Sequence, residues 1–244
     1  MNPIEQFRQE VKDRIAANGK DKELQEISNK WIEKSMKKSY VYNFSWMGRP
    51  IIQYPEDIMA LQEIIMETKP DVIIETGIAH GGSIIFSSSM LELLGGDRIV
   101  IGIDIDIREH NRKEIEMHPM AKRVTMLEGS SIDETLVEKV KQLCKPYKKI
   151  MVCLDSNHTH EHVLRELQLY SPLVSKDCYL VVLDTFVQDM PEKFFENRPW
   201  DVGNNPKTAV WEFLETNKDF SIDESLNNKL LISVAPDGYL IRTN

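Results

Sequence analysis

No stretch of the 244-residue chain is apolar for anything near the ~20 residues that a membrane-spanning helix needs. The first fifteen residues (MNPIEQFRQEVKDRI) are charged throughout and lack the apolar centre of a secretory leader. Cysteine is scarce and odd in number: Cys144, Cys153 and Cys178, too widely spaced for a disulfide framework or a zinc site. Cys153 and Cys178 lie in apolar stretches and read as buried thiols in a reducing compartment, so a cytoplasmic protein is expected. Positive charge is also in deficit, 30 Lys and Arg against 39 Asp and Glu, a formal charge of −9. That balance disfavours a nucleic-acid partner, because a phosphate backbone needs a basic face. Low-complexity segments and linkers are missing, and 41% hydrophobic residues suffice for one sizeable core.

What is present is a βα rhythm from Pro55 onward. Short apolar, β-branched runs (Val72–Ile74, Arg98–Ile103, Val124–Leu127, Ile150–Leu154 and Tyr179–Leu183) alternate with helix-compatible stretches (Ser83–Leu94, Arg108–His118, Ile132–Cys144 and Thr159–Tyr170). Near-continuous apolar strands separated by helices predict an α/β fold, a parallel sheet covered on both faces and joined by right-handed crossovers. After a helical stretch, Lys207–Thr216, the tail changes character. Phe220–Ser225, Lys229–Val234 and Tyr239–Arg242 read as strands, the last after a Pro236-Asp237-Gly238 turn, so an antiparallel hairpin is expected to finish the sheet. Upstream, residues 4–38 suggest two helices joined near Asn18-Gly19. The aromatic segment from Ser39 to Asp57 is expected to be a loop packing that extension on the core, or a wall of a ligand site. The chain is thus divided into an extension and aromatic segment, residues 1–54, and a main domain, residues 55–244.

Each core strand is followed by an acid: Glu75, Asp104, Glu128, Asp155 and Asp184, separated by 29, 24, 27 and 29 positions. In a parallel sheet these ends share the carboxyl edge, where open α/β sheets bind ligands. Five acids in register predict an acidic crevice for a cationic or hydroxyl-rich ligand. The first strand end runs Glu75-Thr76-Gly77-Ile78-Ala79-His80-Gly81-Gly82-Ser83. Its glycines allow positive φ and close backbone approach. Their spacing departs from the G-x-G-x-x-G turn that cradles a pyrophosphate, and Glu75 suits an ammonium group better than a phosphate. Both points argue against a nicotinamide oxidoreductase. E-x-G-x-x-x-G resembles the first motif of class I S-adenosylmethionine-dependent methyltransferases. Asp104 then stands where a carboxylate accepts bonds from ribose hydroxyls, with Asp106 as competitor, and Glu128-Gly129-Ser130-Ser131 would flank the adenine. The fourth end, Asp155-Ser156-Asn157-His158-Thr159-His160-Glu161-His162, places a carboxylate near three histidines. His158 falls at the mouth of the next helix and is suited to act as a general base. His160 and His162, two apart, cannot both face inward from one helix and read as surface or packing residues. Asp155 and Asp184 should end neighbouring strands, close enough to share Mg²⁺. Phe186 to Pro206 is a long loop with Phe194, Phe195 and Trp200, expected to close over the acceptor.

These segments together resemble the cephalosporin hydroxylase family, over about residues 40–244. The segments that carry the resemblance are YNFSWMGRPIIQYPEDI, PDVIIETGIAHGGSIIF, IVIGIDIDIR, LEGSSID, VCLDSNHTHEHVLRELQLYSPLV, YLVVLDT and APDGYLIR. The family comprises S-adenosylmethionine-binding proteins, sugar O-methyltransferases among them. It implies a Rossmann-like, seven-stranded methyltransferase sheet, mostly parallel with an antiparallel C-terminal strand. By the resemblance, Glu75 and Gly77, with His80, Gly81, Gly82 and Ser83 of the same turn, hold the cofactor. Asp104 or Asp106 takes the ribose, Ser130 flanks the base, and Asp155 and Asp184 bind the metal. The family pattern has two adjacent acids at the fifth strand end where this chain has Leu183 and Asp184, and many relatives carry Asp in place of Asn157. The expected activity is Mg²⁺-assisted methylation of a hydroxyl on a small polyhydroxyl acceptor, a sugar or natural product, with Asp155 and His158 catalytic. Two alternatives stay open: a ferrous oxygenase using Asp155, His158 and His160, and a non-catalytic cofactor-binding subunit of a partner enzyme. A homo-oligomer through the N-terminal helices is also compatible with the sequence.

Overall fold

The computed structural model describes residues 2–244. Two helices lead, α1 (Pro3–Asn18) and α2 (Lys22–Met36). A reciprocal capping box between Asn2 and Glu5 starts α1, and the Asp21 side chain caps α2. The aromatic segment is better ordered than a loop. A 3₁₀ turn, Tyr40–Asn43, leads into a hairpin of β1 (Phe44–Trp46) and β2 (Arg49–Ile51). Met47 and Gly48, both at positive φ (47° and 88°), make the two-residue turn that matches strand twist. The Tyr54 hydroxyl, buried against Ser35 at 2.6 Å, ties α2 to this segment.

The remainder follows the expected rhythm: α3 (Pro55–Thr68), β3 (Val72–Thr76), α4 (Gly82–Leu94), β4 (Ile99–Asp104), α5 (Glu109–Glu116), β5 (Val124–Glu128), α6 (Glu134–Cys144), β6 (Ile150–Leu154), α7 (His160–Tyr170) and β7 (Tyr179–Val182). After the long loop come α8 (Pro206–Thr216), β8 (Phe220–Ile222), α9 (Glu224–Leu230) and β9 (Tyr239–Arg242). Seven strands form one sheet in the order β5-β4-β3-β6-β7-β9-β8, with the first five parallel. Strands β3, β6 and β7 are buried along their whole length, as helices on both faces require. The three cysteines are free and buried. Among the described residues no helix is long and apolar enough to cross a membrane.

The tail corrects the expected hairpin. Strand β9 lies between β7 and β8 and is antiparallel to both. Lys229–Val234 is not a strand: its first residues end α9 and the rest is irregular. Asp223 is the reason, because its carboxylate accepts from Ser225 N and Leu226 N and nucleates a helix at once. The Pro236-Asp237-Gly238 turn instead feeds β9 into the sheet. A Cβ on Gly238 would stand 2.0 Å from the Val182 carbonyl oxygen, so only glycine passes there.

Candidate active site

The switch in strand order falls between β3, which continues to β4, and β6, which continues to β7. Above the carboxyl ends of these strands opens a crevice of about 840 Å³, adjoined by a second cavity of about 220 Å³ at the β4–β5 side. The sheet brings Asp104, Asp155 and Asp184 into the crevice wall. Glu128 does not join them: it faces solvent and pairs with Arg112 at 2.7 Å. Glu75 is 3% exposed and lies beneath the surface, its carboxylate accepting from Ser83 Oγ. The expected row of five is therefore three acids in the wall and one under the floor.

The glycine-rich turn is held from both sides. Asp104 Oδ2 accepts from Ile78 N (2.8 Å) and Ala79 N (3.1 Å), and Oδ1 from Asp106 N (3.1 Å). Arg49 donates to the His80 carbonyl and Asn111 to the Ala79 carbonyl. Gly77 is at φ 89°, and a Cβ there would meet the Asp155 carbonyl oxygen at 2.0 Å. Gly82 has the same constraint against Pro50 O at 2.1 Å, which seats the hairpin on the first turn of α4. Gly81 packs on the Ile115 side chain rather than into the crevice. Among the predicted cofactor residues, Gly77, His80, Gly82, Ser83, Asp104 and Asp106 line the crevice, and Ser130 lines the adjoining cavity. Asp104 is thus a brace of the turn as well as a wall residue, and Asp106 is the more exposed carboxylate.

At the far end, Asp155, His158 and Asp184 each offer a ligand atom, all within 4.8 Å of one another. His158 Nε2 stands 3.1 Å from Asp184 Oδ2. Burial raises the Asp155 carboxyl well above the usual range, and the charges of Asp184, Glu75 and Glu166 raise it further. Burial also raises Asp184, with His158 drawing it back down. Asp184 holds left-handed backbone (φ 56°), which a short polar residue tolerates best. Leu183, beside it, is 3% exposed and belongs to the core, so no second acid is supplied from that position.

The long loop is folded, not loose. Gln188 Oε1 accepts from Asn205 Nδ2 and Gly203 N, and Asp201 Oδ2 accepts from Lys193 N. It brings Phe194, Phe195, Arg198 and Trp200 to the crevice rim, with the Trp200 ring set edgewise on His158 at 4.6 Å between centroids. On the opposite rim lie Tyr42 and the Pro50–Gln53 stretch, so the aromatic segment is a wall of the site.

His160 turns away toward Thr208 Oγ1 (2.8 Å) and Glu212 (3.0 Å), which dismantles the Asp155-His158-His160 facial triad. His162 was expected on the surface or in helix packing, yet it lines the smaller cavity. Its Nε2 meets Ser131 Oγ at 3.0 Å and Ser156 Oγ at 3.2 Å, above the fully buried Glu166, whose Oε1 accepts from Ser156. Ser131 belongs to the segment expected to flank the adenine, whereas Ser156 and His162 are site residues that the sequence did not single out; the i, i+4 spacing of His162 and Glu166 on α7 was the available signal.

The family described as Rhamnosyl O-methyltransferase/CmcI matches residues 38–243. The Rhamnosyl O-methyltransferase of Mycobacterium bovis (strain BCG / Pasteur 1173P2) is 32% identical over 215 residues, 84% of this chain and 82% of that protein. The Mycobacterium leprae (strain TN) protein of the same name is 28% identical over 209 residues, 84% and 86% of the two chains. Among solved structures, a CmcI structure described as Mg-SAM shares 19% identity with a TM-score of 0.58, covering 83% of this chain and 78% of that one. A CmcI apo-structure reaches 0.60 at the same identity, covering 83% and 77%. At that identity they establish the fold. The chain belongs to the Rhamnosyl O-methyltransferase/CmcI family and is an S-adenosylmethionine-dependent O-methyltransferase.

Proposed function

We propose that this protein methylates a hydroxyl of a small sugar-bearing or related natural-product acceptor, with His158 as general base and a divalent cation held by Asp155 and Asp184. The observation that carries the reading is the Asp155-His158-Asp184 cluster at the end of a crevice that starts at the glycine turn. The curated relatives supply the acceptor class, since they are named for rhamnosyl groups.

The residues fit a hard cation. Two half-buried carboxylates at one end of the crevice, the charge of Asp184 raising Asp155, favour a positive charge between them, and oxygen donors suit Mg²⁺. A bound cation would lower the pKa of an acceptor hydroxyl. S-adenosylmethionine supplies an activated methyl group on sulfur. The chain's own residues do the rest. Asp184 Oδ2 lies 3.1 Å from His158 Nε2, close enough for its charge to favour a positively charged imidazole ring. The acceptor hydroxyl gives its proton to His158 while its oxygen takes the methyl group, and Asp184 stabilises the imidazolium that forms. Trp200 keeps the ring in place and, with Phe194 and Phe195, excludes water from the reacting end. From the 1–54 extension only residues between 36 and 53 wall the crevice of the 55–244 domain, and in this reading Asp106 or Asp104 takes the ribose and Ser130 the base.

Calorimetry with S-adenosylmethionine, followed by methyl transfer to rhamnosides with and without chelator, tests it. Cofactor binding and chelator-sensitive turnover are expected. The absence of cofactor binding would refute the enzyme reading, and full activity in chelator would remove the cation. Turnover by the isolated protein excludes the non-catalytic subunit.

A further inference from the structure

The long loop sorts its charges. Between Phe186 and Pro206 it carries four acids and two bases. None of the acids lines the crevice. Asp189 pairs with the buried Lys207 at 2.7 Å, Asp201 accepts from Lys193 N and Val202 N, and Glu192 and Glu196 face solvent. The one charged side chain that the loop adds to the crevice is Arg198. On the opposite rim, residues 36–53 add only Lys37. In a chain with a formal charge of −9, the acceptor-side walls thus carry two cations and no acid beyond Asp155 and Asp184. The two cations differ. Lys37 is already engaged by Glu33, one helical turn before it. Arg198 pairs with no carboxylate and donates no side-chain hydrogen bond among the described residues; its guanidinium lies over the Trp200 ring at 5.2 Å. A contact with the ring face holds a guanidinium in place and leaves its N–H fork unused. Trp200 in turn stands edgewise on His158. A single indole therefore separates an unused bidentate donor from the proposed base.

We propose that the acceptor is anionic: it carries a carboxylate or a phosphate ester, received by Arg198, one indole's width from the hydroxyl that is methylated. The assignment rests on the acceptor reading above. Two parallel N–H groups of a guanidinium match two oxygens of either anion, so the contact fixes orientation as well as place. With the anion on Arg198, the hydroxyl is directed toward the His158 end of the crevice. The rim cations also admit a negative ligand to a crevice whose inner end is acidic. Arg198 is then a specificity residue that separates charged acceptors from neutral ones of the same shape.

Methyl transfer by the full chain to matched pairs of acceptors tests it: methyl glucuronide against methyl glucoside, rhamnosyl phosphate against methyl rhamnoside, and protocatechuate against catechol. Within a pair that reacts, the anionic member is expected to show a kcat/KM about 10- to 100-fold higher. The pair with the larger ratio tells carboxylate from phosphate. Arg198→Gln should bring the ratio to parity, chiefly by raising KM for the anionic member. Arg198→Lys keeps the charge without the fork and should restore part of it. A neutral member methylated as well as its partner would overturn the proposal. So would an Arg198→Gln loss shared equally by both members, which is what a mere prop for Trp200 would give. If only protocatechuate reacts, the sugar reading falls and the anion stands; if only neutral sugars react, the anion falls and the sugar stands. Methylation of no member by a protein that binds S-adenosylmethionine would end both.

Discussion

Two groups of acid in this molecule, one buried and one half-buried, are built on opposite plans. Asp57, in the first turn of α3, is wholly buried and accepts from Ser233 Oγ (2.5 Å), Val234 N (2.8 Å) and Tyr239 Oη (2.8 Å). Burial pushes its carboxyl up to about 6, and the three donors hold it from going higher. Among the described residues Asp155 and Asp184 accept no hydrogen bonds of that kind: the charge of Asp184 raises Asp155, and Asp184 has His158 beside it. A carboxylate surrounded by its own donors is a fastener, here between α3 and the segment entering β9. A pair of carboxylates facing each other is unfinished until a cation or proton arrives. The difference is what favours a structural role for Asp57 and the proposed cation for Asp155 and Asp184.

The largest effect should come from the unfinished site. His158→Ala should lower kcat about 10²- to 10⁴-fold while leaving the cofactor affinity within a factor of two or so. Steady-state kinetics with cofactor calorimetry check it, and an unchanged kcat would dismiss the base. The fastener should respond in the opposite way. Asp57→Ala strands Tyr239, Ser233 and Val234 N in the core, and should cost about 2–4 kcal/mol of stability. The kcat per folded molecule should not change. A lost kcat with an unaltered urea midpoint would reverse the two roles.

Local chemistry explains which parts of this were legible. Strand runs and the acids after them are local patterns, so Asp104, Asp155 and Asp184 could be placed on one edge from spacing alone. Glu128 could not be excluded from that edge, because Arg112 on α5 draws it out and no pattern near Glu128 announces Arg112. Lys229–Val234 looks like a strand by composition, but the Asp223 cap starts a helix that runs into it and overrules propensity. His162 required the phase of α7 to be known to within one residue.

The third effect is a dependence on pH. Glu75 has an ordinary value near 4.5 and is lifted to about 7, chiefly by burial, against the Ser83 bond. Its folded-state pKa is raised, so the folded protein holds a proton that the unfolded chain releases between those values. Stability therefore falls as pH rises from about 4.5 to 7 and then levels off. Glu75→Gln should abolish this: no gain over wild type at pH 4.5, and about 1–3 kcal/mol above pH 7 in the ligand-free protein. Thermal melts across that range check it. A gain that is largest at low pH would show the sign to be wrong.

The smallest effect sharpens the comparison most. Asp184→Asn removes the charge that raises Asp155 but keeps the size of the side chain. Without a cation the variant should be more stable than wild type by about 1 kcal/mol, a shift in Tm on the order of 2–4 °C for a chain of this length. Adding Mg²⁺ should then raise the Tm of wild type, since an ion that binds only the folded state stabilises by mass action, and should leave the variant unmoved. Asp57→Asn gives the control. It removes a charge that is already satisfied by donors, so it should lower Tm and be indifferent to Mg²⁺. If Asp184→Asn behaved like Asp57→Asn in both respects, the pair at the strand ends would be a second fastener and the cation reading would fall.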